Sequence, residues 1–170
     1  MRKLLLLFIS LLFVLGLAAC GETYDEEEFD EVQNYAEEIS DTTDTALFKL
    51  SNITEDDVVQ EDYWEETDEI IEEMDAINDK YWDDDQLDSI TKSSMKNWSI
   101  QMTSGEDEEW KIKGEDLADA VYDMKEDSDA LITQYAKTKE EGEENLNQLT
   151  TAYEDAEDST DELKHVVFNK

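Results

Sequence analysis

The chain has 170 residues, with 49 aspartates and glutamates against 13 lysines and arginines, and a formal net charge of −36. Charge of that sign and size excludes nucleic acid as a partner. It equally excludes adhesion to an anionic membrane through a basic patch, because both need lysine and arginine beside phosphate. Proline is absent and there are only five glycines, too little turn chemistry for a β-rich domain.

Residues 1–19 are unlike the rest. Arg2 and Lys3 give a positive start, Leu4 to Leu17 is almost wholly apolar, and two alanines follow. That order is the order of a secretory signal. The run is shorter than the ~20 apolar residues of an ordinary spanning helix. It ends in Leu17-Ala18-Ala19-Cys20, with Gly21 next. This ending resembles the lipobox of bacterial lipoproteins. The resemblance implies that the processing enzymes read Leu17, Ala18 and Ala19. It implies that the Cys20 thiol receives a diacylglyceryl group and that the chain is cut before Cys20. The new amino terminus can then be acylated, for example with palmitate. Cys20 is the only cysteine, so no disulfide forms within the chain. A catalytic role would need a positive neighbour to stabilise the thiolate, and the residues that follow are acidic.

Residues 20–30, the lipidated cysteine and "GETYDEEEFD", read as an acidic tether whose self-repulsion extends it. The domain proper is 31–170. Its first helix carries Phe29, Val32, Ala36, Ile39, Thr43, Ala46 and Leu50 in a 4-3 rhythm that forms one stripe. "SNIT" breaks it, and Thr54 is placed to cap a second helix from about Glu55 to Trp82. That helix has two apolar lines. Val59, Tyr63, Thr67, Ile70, Met74, Ile77 and Tyr81 form one, and Trp64, Ile71 and Trp82 the other. Trp64 and Trp82 are five turns apart, ~27 Å along one meridian.

From Asp83 to Gly105, the spacing of Leu87, Thr91, Met95, Trp98 and Met102 permits a shorter helix, which the serines and threonines weaken. Residues 103–114 read as a loop bounded by glycines, with Trp110 inside it. Beyond Gly114 the stripe resumes through Leu117, Val121, Met124, Ser128, Leu131, Tyr135 and Thr138. It continues through Leu146, Leu149, Tyr153, Ala156, Thr160, Leu163 and Val167. Between the two runs only Gly142 can make a turn. Residues 115–168 therefore read as one bent or continuous helix, with two helices about a hinge as the alternative.

These stripes are too slim to stand alone. The expected fold is all-α, an elongated antiparallel helical bundle of three to five helices after a cleaved signal peptide. So much like charge repels itself in the compact state. Salt shortens the Debye length, so a salty, alkaline or cation-rich exterior is expected.

No reaction is legible. With so many carboxylates, pairs at helical spacing occur by composition and point to no general acid and base. His165 is the only histidine; near a helix end it suits the dipole. A zinc or copper site lacks ligands, and no acidic cluster fits a calcium loop, so divalent cations bind diffusely at most. No cofactor and no formed metal site are expected. The one feature with recognition potential is aromatic: Trp64, Ile71, Trp82, Trp98 and Trp110 form a possible ligand or partner face.

The function expected from the sequence is a non-catalytic, lipid-anchored lipoprotein. It would sit on the outer face of a bacterial cytoplasmic membrane, of Gram-positive type on the lysine-only cation usage after residue 19, and meet an unknown protein or cell-wall partner. The alternative is a ligand-binding module with a Trp/Tyr-lined helix cleft.

Overall fold

The computed structural model describes residues 24–51, 53, 61–83, 87, 90–103 and 109–168. Helix α1 spans Glu26–Leu50 and α2 spans Glu61–Asn78, continuing as a π-helical turn over Asp79–Asp83. A one-turn helix α3 (Lys92–Met95) leads into strands β1 (Ser99–Thr103) and β2 (Glu109–Lys113). Helix α4 (Gly114–Glu141), a 3₁₀ turn over Gly142–Asn145 and helix α5 (Leu146–Phe168) complete the chain.

The long helices α1, α2, α4 and α5 form an all-α antiparallel bundle. Across α2 and α4, Trp64 meets Tyr135 while Trp82 meets Tyr122, so the two run in opposite directions. Across α4 and α5, Thr160 lies on Met124 while Thr138 reaches Asn145. Lys164 of α5 pairs with Asp44 of α1, and Leu50 and Leu149 line one depression. The order is therefore up-down-up-down, with α1 and α4 across the diagonal.

Hydrophobic periodicity accounts for these helices. All seven residues of the α1 stripe and all seven of the α4 stripe are buried. Small residues in the stripes let the helices approach closely: Ala36, Thr43, Ser128, Ala156 and Thr160 are each at 0–1 % exposure. Helix α1 starts at Glu26, inside the segment expected to be tether. Asp25 caps it, its carboxylate accepting from the Glu27 and Glu28 amides at 3.0 and 3.2 Å. Three glutamates in the first turn complement the dipole.

In the segment 83–114 the structure departs from expectation. Among the described residues, the helix expected over Leu87 to Met102 is present only as α3, capped by Thr91. The expected loop holds an antiparallel hairpin in which Ile100 pairs Ile112 and Met102 pairs Trp110. Trp98, Ile100 and Met102 alternate with polar residues, as do Trp110 and Ile112. That period of two sends one face of the hairpin inward. Ile100 and Ile112 are buried, whereas Gln101, Lys111 and Lys113 face solvent.

Residues 115–168 are two helices folded back on each other, not one. Gly142, at φ 79° and ψ −148°, adopts a conformation essentially confined to glycine and opens the 3₁₀ turn through which the chain reverses. The π turn also has a consequence. Its wider winding buries both Tyr81 and Trp82, neighbours in sequence, at 2 % and 8 % exposure. The start expected for the second helix, at Thr54 and Glu55 with Val59, lies outside the described residues.

Candidate functional site

The aromatic residues distribute over two regions. In the first, along the α2–α4 seam, Trp64 stacks edge-on against Tyr135 with ring centroids 5.2 Å apart. The Tyr135 hydroxyl donates to the Trp64 carbonyl at 3.2 Å and to Asp68 Oδ1 at 2.8 Å. Lys139 donates to both oxygens of the same carboxylate, at 2.8 and 2.6 Å. Beside this clamp runs a groove of about 510 Å³ with Ile71, Ile132 and Ala136 on its apolar floor and Glu72 and Asp75 on its rim. Farther along, Trp82 meets Tyr35 and Tyr122 edge-on at 5.7 and 5.1 Å. The Lys125 ammonium lies 5.8 Å from its ring centroid, within cation–π range.

The second region is the hairpin end of the bundle. Trp98 packs edge-on against Phe29 at 6.5 Å, and Phe29 against Tyr24 at 5.6 Å. Trp110 is half-buried on the inner face of the hairpin. The five residues proposed as one face therefore do not form a single cleft. Trp64, Trp82 and Trp98 are each under 9 % exposed and act as packing between elements. Of the five, only Ile71 lines the groove.

Cys20, Leu17, Ala18 and Ala19 lie outside the described residues. No described helix is long and apolar enough to cross a membrane. Among the described residues, no group of three or more histidine, cysteine or acidic side chains is placed to hold a metal ion. His165 is exposed in the last turn of α5.

Sequence reasoning missed the polar connections. Asn78, 4 % exposed, sits where α2 becomes the π turn. Its amide nitrogen donates to Ser128 Oγ at 2.9 Å and Asp129 Oδ1 at 2.8 Å, and its oxygen accepts from the Tyr35 hydroxyl at 3.3 Å. One side chain thus ties α1, α2 and α4. Burial pushes the Tyr35 hydroxyl well above the ordinary phenol range, so it remains a donor.

Lysines, scarce in this chain, bridge helices. Lys80 donates to both oxygens of Glu38, at 2.8 and 2.9 Å, and Tyr81 donates to the same carboxylate at 2.9 Å. Burial alone would raise the Glu38 carboxyl; the Lys80 and Tyr81 hydrogen bonds and the Lys80 charge outweigh it and hold the group below its ordinary value. The hydrogen bond from Lys139 is the main cause that keeps Asp68 low, against some desolvation. At the hairpin end, Lys92 and Lys96 converge on Asp119 at 2.9 and 3.2 Å and lower it likewise. These clamps lie at or near the surface, where solvent and salt screen them, so each contributes little to stability. Their placement matters more, since each puts a cation where two acidic helices would otherwise repel.

Searches against protein-family models, curated proteins and solved structures return no match.

Proposed function

We propose that this chain is a bacterial lipoprotein, anchored by lipid on Cys20 to the outer face of the cytoplasmic membrane, where its helical bundle serves as a non-catalytic module that meets a protein or cell-wall partner. The segment from Arg2 to Cys20 carries this reading, with its positive start, apolar core, Leu17-Ala18-Ala19 and cysteine in lipoprotein order. The strongly negative body supports it too, because such a body needs a lipid, not a basic patch, to stay on a membrane. Two acyl chains give stable attachment where one is marginal.

Mass spectrometry of the amino-terminal peptide tests it. The expected result is a mature chain beginning at Cys20, carrying diacylglycerol, recovered in the membrane fraction. The Cys20→Ser variant should lack the lipid and persist as an uncleaved precursor. A free Cys20 thiol in the wild-type chain, together with unchanged processing of the variant, would overturn the proposal.

A second reading, a small apolar ligand held between α2 and α4, is favoured by the groove over Ile71, Ile132 and Tyr135. Tyr135 lines the groove and Trp64 stacks on it with ring centroids 5.2 Å apart, so occupancy should shift tryptophan emission. Emission that stays constant with fatty acids and cell-wall fragments would remove this reading.

A further inference from the structure

The end of the bundle opposite the hairpin carries an apolar patch that the packing of the described residues does not use. Phe48 lies off the buried stripe of α1 and is 78 % exposed, the one large hydrophobic side chain so exposed among the described residues. A single exposed aromatic is ordinary on a protein surface. This one is not isolated. Two depressions, of about 240 and 270 Å³, meet at Ser51 and Tyr153 on the α1–α5 seam, one floored by Leu50, Ile53 and Leu149 and the other walled by Phe48.

The rim is acidic. Glu154 belongs to one depression, and Glu157 and Asp161 to the other. All three are exposed, and none has an ion-pair partner among the described residues. Asp44, nearby, is already taken by Lys164. Tyr153 and Glu157 line the same depression, and the Tyr153 hydroxyl is raised by burial and then by the Glu157 charge.

We propose that this patch docks a cationic amphipathic segment of a partner protein, its apolar side chains on Phe48, Tyr153 and Ile53 and its lysines or arginines against Glu154, Glu157 and Asp161. Charge complementarity selects the occupant. A second copy of this chain would set the three carboxylates against their own kind on a body of net charge −36, and like charges facing across an interface are strongly penalised. An anionic lipid surface is repelled for the same reason. A helix lying along a seam with apolar anchors and a polar rim is a common peptide-recognition mode. The patch stands independently of the lipid anchor. It lies ~33 Å along α1 from the first helical turn, far from the end where the chain enters the bundle.

The test uses the full-length chain in a zwitterionic detergent at about 0.15 M NaCl, with empty micelles as blank. Two fluorescent probes are titrated by anisotropy, an amphipathic leucine–lysine helix of about four turns and an oligolysine of equal length. Phe48→Ala should weaken the amphipathic probe about tenfold or more and leave oligolysine unchanged. The Glu154→Gln/Glu157→Gln double variant should weaken both probes and flatten their salt dependence. Ile132→Ala, in the α2–α4 groove, should leave both unchanged. The proposal is overturned if the wild-type chain does not bind the amphipathic probe, or binds it no better than Phe48→Ala does. It is overturned equally if Ile132→Ala takes the loss in place of Phe48→Ala, which would move docking to the other groove. A Phe48-dependent dimer in sedimentation would assign the patch to self-association and would also overturn it.

Discussion

Each end of the bundle turns on a glycine, and the two glycines do opposite things. At Gly114 the first turn of α4 presses on the backbone of the α3–β1 connection. A side-chain carbon there would sit 1.9 Å from the Met95 carbonyl oxygen and 2.6 Å from the Trp98 nitrogen. The Gly114 amide donates to the Trp98 carbonyl at 2.9 Å. At this end Phe29, Trp98, Ile100 and Ile112 are all buried, with Trp98 edge-on to Phe29. At Gly142 a side-chain carbon would meet nothing within 4 Å; the constraint is the positive φ alone. The first glycine is chosen by packing and the second by backbone geometry. Among the described residues the hairpin end is packed over, and the Gly142 end, with Phe48 and Tyr153 on it, leaves Phe48 exposed.

The largest effect expected is at the hairpin end. Trp98→Ala removes a buried indole from between α1, the hairpin and α4, and should cost about 4 kcal/mol in chemical denaturation. A loss below about 1 kcal/mol would mean that the hairpin end is not part of the cooperative core. Gly114→Ala forces backbone apart, for about 3 kcal/mol or more. Hydrogen exchange should then quicken first over 90–113; uniform quickening would argue against a local clash.

Gly142→Ala places alanine in a glycine-only conformation, for about 2 kcal/mol, with the loss confined to the α4–α5 turn. A smaller term separates the ends by pH. Asp119 clamps the hairpin end and Asp68 the other, and both titrate lower in the folded chain than in the unfolded one. The unfolded chain therefore takes up protons first as the pH falls. Each clamp contributes fully above about pH 4 and fades as the pH drops through its lowered folded value. Asp68→Asn should flatten the acid limb of the stability curve at the Gly142 end and leave the hairpin end unchanged, read by hydrogen exchange at each end. An unaltered acid limb at residues 61–75 and 132–141 would show that the clamp is not formed in solution. The smallest effect is Phe48→Ala, under about 0.5 kcal/mol in denaturation, since that ring packs on nothing the fold needs. A larger loss would place Phe48 in the core and dissolve the contrast between the ends.

Much of the body was legible because a 4-3 apolar rhythm reports a helix stripe directly. Every stripe residue from Phe29 to Leu50, and from Leu117 to Thr138, is buried as its spacing indicates. The hairpin was not legible by that rule. Trp98 and Met102 satisfy a helical i, i+4 spacing, while Trp98, Ile100 and Met102 satisfy a strand's alternation. A segment that fits both periods is decided by what it packs against, here Phe29 and Gly114. The tryptophans are legible by type, as bundle packing or as a recognition face, but an amphipathic pattern gives a side chain's face and not what covers it, and Trp64, Trp82 and Trp98 are covered. Phe48 was overlooked since attention to the stripe passes over the apolar residue that leaves it. Asn78 had no signal beyond being polar at the end of an apolar run.

By itself, then, the amino-acid sequence determined that the chain is helical, strongly acidic and built on slim apolar stripes, and it set the lipoprotein-like order of residues 1–21 as an expectation. Those properties are local or additive: propensity, spacing and charge need no knowledge of neighbours. Only the tertiary structure decided that 114–168 is a hairpin of helices, that 99–103 pairs with 109–113 as strands, which elements Trp64, Trp82 and Trp98 pack between, and that Asn78 and the lysines tie particular helices together. Each of those depends on contacts between residues distant in the chain, and such contacts exist only once the stripes have found one another.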